Sequence, residues 1–313
     1  MAQSQRVAEQ VRALTGRPVE LVEITTFGDV SREALTQIGG TGVFVSALRD
    51  AVLSGEIDFA VHSLKDLPTT QPAELTLAAV PPRADARDAL VARDGLTFER
   101  LVRQRAAPGG VRVGTGSPRR MAQLNAWARA LGCEITTVPI RGNVDTRIGY
   151  VRLGELDAVV LATAGLQRIG RDSEITELLP ADAVLPAPGQ GALAIECAAS
   201  DADLAAQLAG LDDPPTRIAV TAERTLLATL EAGCSAPVAA LADLRDEEQN
   251  ATVMRLRGAV GTVDGSALVQ LSTTGPVAGS VAEATIQAAA MGRELADEML
   301  AKGAAGLMGE RAL

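Results

Sequence analysis

Aromatic residues are scarce in this chain: they make up 2 % of its 313 residues, with one Trp and one Tyr. Base stacking on an aromatic platform is therefore not its mode of action. The charge balance points the same way. There are 39 Asp and Glu against 29 Lys and Arg, a formal net charge of -10, which opposes general binding to a phosphate backbone, and no nucleic-acid partner is expected. Histidine occurs once, at His62, so a His-based metal centre or a Ser-His-Asp constellation would have to rest on that residue alone. The three cysteines, Cys133, Cys197 and Cys234, are far apart and form no C-x-x-C pair. A structural zinc and a disulfide framework are both disfavoured, and no metal is expected. No apolar run approaches a bilayer span, and the opening Met-Ala-Gln-Ser-Gln-Arg lacks the apolar stretch of a secretory signal. A cytoplasmic chain with no membrane partner is the expectation.

Against this acidic background, two arginine-bearing segments follow apolar runs. Residues 114–120 read Gly-Thr-Gly-Ser-Pro-Arg-Arg, and residues 140–147 read Ile-Arg-Gly-Asn-Val-Asp-Thr-Arg. A guanidinium is a rigid fork of donors that matches a carboxylate, and Gly, Ser and Thr in a turn let backbone N–H groups aim at the same oxygens. Val111, Arg112 and Val113 read as a strand end, and Met121, Leu124, Ala128 and Leu131 have helical spacing. The order is strand, anion loop, helix, and the helix dipole adds to the attraction. Taken singly, Arg119, Arg120, Arg141 and Arg147 also read as ordinary surface charges.

The length allows two or three domains. Short apolar runs at residues 19–25, 59–62, 75–80, 111–114, 135–140, 158–162 and 193–197 read as strands. Helical patterns at 44–54, 121–131 and 146–153 lie between them. This is an α/β architecture with mainly parallel sheets buried on both faces. Pro81-Pro82 and the Pro- and Gly-rich residues 185–191 mark two crossings between lobes, so the strand at 193–197 is expected back in the first sheet. Domain 1 then comprises residues 1–82 and 192–210, and domain 2 residues 83–191. Residues 214–313, with helices at 216–230 and 280–302 and strands near 254–260 and 267–272, form a C-terminal α+β domain.

Two further segments bear chemistry. Residues 57–68 carry an apolar strand into His62, Ser63, Lys65 and Asp66. Strand C-terminal ends are where open α/β sheets place ligand groups, and a carboxylate beside a lysine is a candidate acid/base or cation-stabilising pair. The bland alternative is a surface ion pair contributing roughly 0 to 1 kcal/mol. His62 reads as a hydrogen-bonded structural histidine. In residues 230–237, Cys234 sits between small residues and before Pro237, on a turn rather than in a packed helix. An accessible thiol there is a nucleophile or attachment point, or else a structural cysteine. Cys133 and Cys197, at a helix end and in a strand, read as buried and inert.

Together these segments resemble the porphobilinogen deaminase family. The resemblance is carried by residues 61–68, 114–120, 141–147, 164–170, 185–191 and 231–237, which occur in the family's order over nearly the whole chain. It implies two domains similar to periplasmic binding proteins with a double crossover, a C-terminal attachment domain, and a covalent dipyrromethane cofactor, one per chain. It also implies a monomer that takes porphobilinogen as substrate and joins it, with loss of ammonia, into the linear tetrapyrrole hydroxymethylbilane. By the family pattern Cys234 carries the cofactor as a thioether, and Asp66 is the catalytic carboxylate with Lys65 beside it. Ser63, Thr115, Ser117, Arg119, Arg120, Arg141 and Arg147 hold the cofactor, while Arg168 and Gln190 meet substrate. The chemistry suits these residue types. Loss of ammonia from an aminomethylpyrrole leaves an electron-poor azafulvenium that a fixed carboxylate stabilises, and each substrate brings two carboxylates that need arginines.

The chain departs from the family pattern at its start. The family opens on a strand bearing Arg-x-Ser, whereas Met1-Ala2-Gln3-Ser4-Gln5 resembles the middle of the helix that follows, so an upstream start is expected. Thr41 and Ser46 replace two basic residues common in the family, and Ala86 stands where Pro is frequent. A non-catalytic protein that binds a small carboxylate in the same cleft is the competing reading, and ammonia release on porphobilinogen binding separates the two.

Overall fold

Aliphatic runs punctuated by Gly and Pro set the order of elements, which the computed structural model describes for residues 2–24, 42–104, 110–232, 236–247 and 251–309. In chain order these are α1 (Ala2–Thr15), α2 (Gly42–Leu53), β1 (Phe59–Ser63), β2 (Leu75–Ala79), β3 (Asp88–Ala92), α3 (Phe98–Gln104), β4 (Val111–Gly114), α4 (Pro118–Ala130), β5 (Ile135–Val138), α5 (Val144–Arg152), β6 (Ala158–Ala162), α6 (Thr163–Arg168) and β7 (Glu177–Leu178). They continue with β8 (Leu193–Ala198), α7 (Ala202–Leu208), α8 (Pro214–Thr229), β9 (Val238–Glu247), β10 (Ala251–Gly261), β11 (Leu268–Pro276), α9 (Val281–Ala301) and α10 (Ala304–Leu307).

The strands form sheets of order β1-β8-β2, β5-β4-β6-β3-β7 and β11-β10-β9. The middle sheet is covered on both faces, as the alternation of its side chains requires. Leu90, Val111, Val113 and Val160 pack with Phe98 of α3 and Leu124 of α4. Val91, Val159 and Leu161 pack on the opposite face with Ile148 of α5 and Leu166 of α6. In the first sheet, Ile195 and Cys197 meet Val7 and Val11 of α1, while Ala194 meets Val45 of α2, Leu64 and Val220.

The expected double crossover is present. After Pro81-Pro82 the chain enters the middle sheet as β3, and after residues 185–191 it returns as β8 between β1 and β2. The expectation of mainly parallel sheets needs correction. Among the described residues only β5, β4 and β6 run parallel. The crossing strands do not: β8 is antiparallel to β1 and β2, and β3 is antiparallel to β6 and β7. A strand that arrives from the other lobe is not bound by the right-handed helix crossover that forces parallel pairing within one sheet. A second correction concerns residues 19–25. Residues 19–24 join no ladder, and together with Phe59, Ala60 and Val61 of β1 they line a cavity of about 930 Å³. No helix among the described residues is long and apolar enough to cross a membrane.

Helix α8 ties these parts together. Asp213 caps it by accepting from the Thr216 amide (3.0 Å), with Pro214 and Pro215 in its first turn, where a missing N–H costs nothing. Its central carboxylate, Glu223, is fully buried. It accepts from Arg83 Nη1 (2.6 Å) and Nη2 (3.0 Å) on the first crossover, from the Gly189 amide (2.7 Å) on the second, and from the Ala242 amide (2.9 Å) of β9. A buried ion pair stripped of one member leaves an uncompensated charge. Glu223→Ala is therefore expected to destabilise the protein by about 3–5 kcal/mol. Urea denaturation followed through Trp127 fluorescence checks this, and an unchanged midpoint would refute it.

Candidate active site

At the C-terminal end of β1 the backbone tightens into a single 3-10 turn, Leu64–Asp66, whose buried Leu64 anchors it to the core. This presents Lys65 to a cavity of about 260 Å³, with Asp66 next to it on the turn, both half-buried. Ser63, Arg168, Gln190 and Gln3 line the same cavity. Lys65 Nζ donates to Gln190 Oε1 (3.4 Å), and the Gln190 amide donates to Asp88 Oδ1 (2.8 Å) and the Ala86 carbonyl (2.7 Å). Gly191 follows at φ 87°, and a Cβ there would lie 2.6 Å from the Ala84 carbonyl, so only glycine allows this second crossover to pass the first.

Asp88, fully buried at the start of β3, holds the two arginines of residues 114–120. Arg120 Nη2 donates to its Oδ1 (2.7 Å), and Arg119 Nη1 lies 2.8 Å from its Oδ2. Arg119 and Arg120 also donate to the carbonyls of Leu185 and Val160. The strand, loop and helix order expected from sequence is present, with Ser117 as the N-cap of α4 and Pro118 at its first position. The arginines themselves are not surface charges. They are 3 % and 6 % exposed, because the first turn of α4 brings them onto the buried Asp88 at the start of β3. Thr115 is buried and turned into the loop, where its Oγ1 accepts from the Ser117 amide (3.2 Å).

In the second arginine segment, Asn143 caps α5 by accepting from the Thr146 amide (2.9 Å), which sets Arg147 on the first turn. Arg147 Nε donates to the Gly142 carbonyl (2.8 Å), and Arg141 is exposed on the loop before α5. Arg168, at the end of α6, donates to the Gly191 carbonyl (2.9 Å) and to Gln3 Oε1 (3.4 Å), which also accepts from Ser63 Oγ (3.1 Å). Gln3 and Asp88 were not singled out from sequence. Gln3 gives no local signal, whereas Asp88 stands next to Arg87 where a charged strand end reads as solvated. His62 is buried with Nε2 3.5 Å from Glu196, which takes a bidentate pair from Arg49. Cys197 is buried, which pushes its thiol up, and Cys133 is half-buried. Cys234 lies outside the described residues.

Burial governs the electrostatics. It pushes Lys65 down to about 8, ahead of the opposing pull of Asp66. It also pushes Asp66 up, against smaller pulls from Lys65, His62 and Arg168. For Asp88 burial acts upward too, but Arg119 and Arg120 overcome it and hold the carboxyl well below the usual range. Burial lowers Arg119, Arg147 and Arg168, and Arg6 of α1 adds to the effect on Arg168.

Comparison with known proteins gives this geometry a family. Residues 1–206 match the porphobilinogen deaminase dipyromethane cofactor binding domain, and residues 217–301 match the porphobilinogen deaminase C-terminal domain. The chain belongs to the porphobilinogen deaminase family. Porphobilinogen deaminase 1 of Streptomyces avermitilis is 74 % identical over 99 % of this chain and 94 % of its own length. That of Streptomyces coelicolor is 69 % identical over 100 % and 95 %, and the Thermobifida fusca enzyme 55 % over 96 % and 90 %. Among solved structures, the probable amino-acid ABC transporter extracellular-binding protein YtmK of Bacillus subtilis covers 66 % of this chain and 78 % of its own, at 11 % identity and a TM-score of 0.38.

The family's dipyrromethane bears carboxylate side chains, and the residues present fit it. Among the described residues, Asp66 and Asp88 are the acidic groups that act on Lys65, Arg119 and Arg168, while Arg147 feels the cationic Arg120. Arg119 Nε and Arg120 Nε are buried and lack a hydrogen-bond partner among the described residues. A buried donor without a partner is costly, and an anion entering this cradle relieves that cost.

The charge state of Lys65 has a kinetic consequence. Above a pH of about 8 it loses its proton, and attraction for carboxylates weakens. The profile of kcat/KM, which reports the free enzyme, is expected to fall as pH rises through about 8. Lys65→Arg, whose guanidinium stays charged, should move that fall to higher pH. Identical alkaline limbs in the two proteins would contradict this.

Proposed function

We propose that Asp66 is the catalytic carboxylate of a transferase that joins porphobilinogen units, with loss of ammonia, into the linear tetrapyrrole hydroxymethylbilane. The observation that supports this most directly is the placement of Asp66, half-buried, on the same turn as Lys65 and within the electrostatic reach of Arg168, the two cations that line the cavity. When ammonia leaves, the C–N electron pair departs with nitrogen and positive charge spreads into the pyrrole ring of the substrate. A carboxylate fixed at short range and shielded from water opposes that charge without reorganising, and accepts a pyrrole N–H. The raised pKa of Asp66 places loss of activity on the acid side above the ordinary carboxylate range.

Lys65, Arg119, Arg120, Arg147 and Arg168 bind acetate and propionate groups, with Ser63, Thr115, Ser117 and Arg141 on the cofactor side and Gln190 aligning Lys65. Dipyrromethane, when bound, supplies the nucleophilic pyrrole carbon from which the chain grows, and Cys234 is its point of attachment. The three sheets fit domains of residues 1–82 with 192–210, 83–191 and 214–313. The enzyme is read as a cytoplasmic monomer.

Asp66→Asn is isosteric, and is expected to leave the fold and the covalent cofactor in place while lowering turnover by about 10²–10³-fold, as loss of one electrostatic stabiliser does. Turnover assays and intact-mass measurement check this. Near-normal turnover would refute the role of Asp66, and Cys234 unmodified in active enzyme would refute the attachment.

A further inference from the structure

The turn that carries Lys65 and Asp66 is held from outside its own sheet. Arg224, half-buried on α8 next to Glu223, donates from Nη1 to the carbonyls of Leu64 (3.2 Å) and Leu67 (2.8 Å), and from Nη2 to that of Pro68 (2.7 Å). These carbonyls bracket Asp66. Besides the burial of Leu64 and Leu67, its backbone is held by the Leu67 amide donating to Leu64 O (3.2 Å) and by the Leu64 amide donating to the Ala192 carbonyl (3.0 Å). A 3-10 turn of this length does not hold its shape by its own hydrogen bonding.

We propose that Arg224 is a positioning residue for the reaction: its guanidinium clamps the turn of residues 64–68 so that Asp66 meets the reacting ring at a fixed distance. The support it acts from is rigid. Asp212 at the foot of α8 accepts from the Val80 amide (2.7 Å), the Thr216 hydroxyl accepts from the Arg83 amide (3.1 Å), and Glu223 binds both crossovers. The adjacent residues Glu223 and Arg224 therefore fix the two walls of the site at once. Glu223 holds the Gly189 and Gln190 side to which Lys65 bonds, and Arg224 holds the turn itself. A planar fork reaching successive carbonyls is a task for arginine, since a lysine ammonium reaches fewer of them in fixed geometry. This inference rests on the reading of Asp66 as the catalytic carboxylate.

The test compares the cofactor-loaded forms of the wild type, Arg224→Met, Arg224→Lys and Asp66→Asn, with rates expressed per loaded chain from intact mass. A small misplacement of a catalytic group costs up to about 10²-fold in rate. Arg224→Met is expected to lower kcat on that order with KM within about threefold, because the carboxylate anchors are untouched. Arg224→Lys should recover part of the loss. Amide hydrogen exchange should quicken in residues 64–68 of Arg224→Met and stay at wild-type rates elsewhere. An Arg224→Met enzyme with wild-type kcat, or one whose exchange quickens throughout the molecule, would overturn the proposal. Full activity in Asp66→Asn would instead overturn the reading on which it rests.

Discussion

The site is organised around a carboxylate that touches no solvent. Asp88 gathers Arg119, Arg120 and Gln190 onto its two oxygens, and Gln190 passes the alignment on to Lys65. Two guanidiniums and a buried carboxylate are each expensive to desolvate, and they persist because each satisfies the other. The cluster still carries a net positive charge. That surplus, in a chain of net charge -10, makes the cleft attractive to anions.

The constraint is long-range, which explains the double crossover. Asp88 begins β3, directly after the first passage between lobes, and Gln190 lies on the second. The strands that enter from the opposite lobe run antiparallel to their neighbours, and the two crossings lie side by side, with Gly191 allowing the approach. Helix α8 buttresses the same pair of crossings through Glu223. The C-terminal part of the chain is thus a support for the cleft as well as the part that contains Cys234.

Local features of this architecture were legible from residue order. Val111 and Val113 and the spacing of Met121, Leu124 and Ala128 specify a strand and a helix on either side of a short loop, and β4 and α4 form there. Lys65 and Asp66 were legible because they end an apolar strand. Asp88 was not: its partners are far along the chain, Arg120 beside Arg119 at 32 residues and Gln190 at 102, and Asp-Ala-Leu-Val-Ala is poor in β-branched residues, so neither β3 nor its leading carboxylate gives a local signal. The burial of Arg119 and Arg120 was missed for the same reason, since arginine is read as exposed until its partner is known. Parallel pairing was overestimated because alternation of strands and helices does not reveal which strands come from the other lobe.

Asp88 aligns Arg119, Arg120 and, through Gln190, Lys65, and the most direct test of that role is the crystal structure of the Asp88→Ala protein. With the carboxylate gone, Arg119 and Arg120 are predicted to turn their guanidinium groups away from β3, and Gln190 to release Lys65, while α4 and the middle sheet stay in place. Guanidinium groups and a Lys65–Gln190 bond found in their original positions would contradict it.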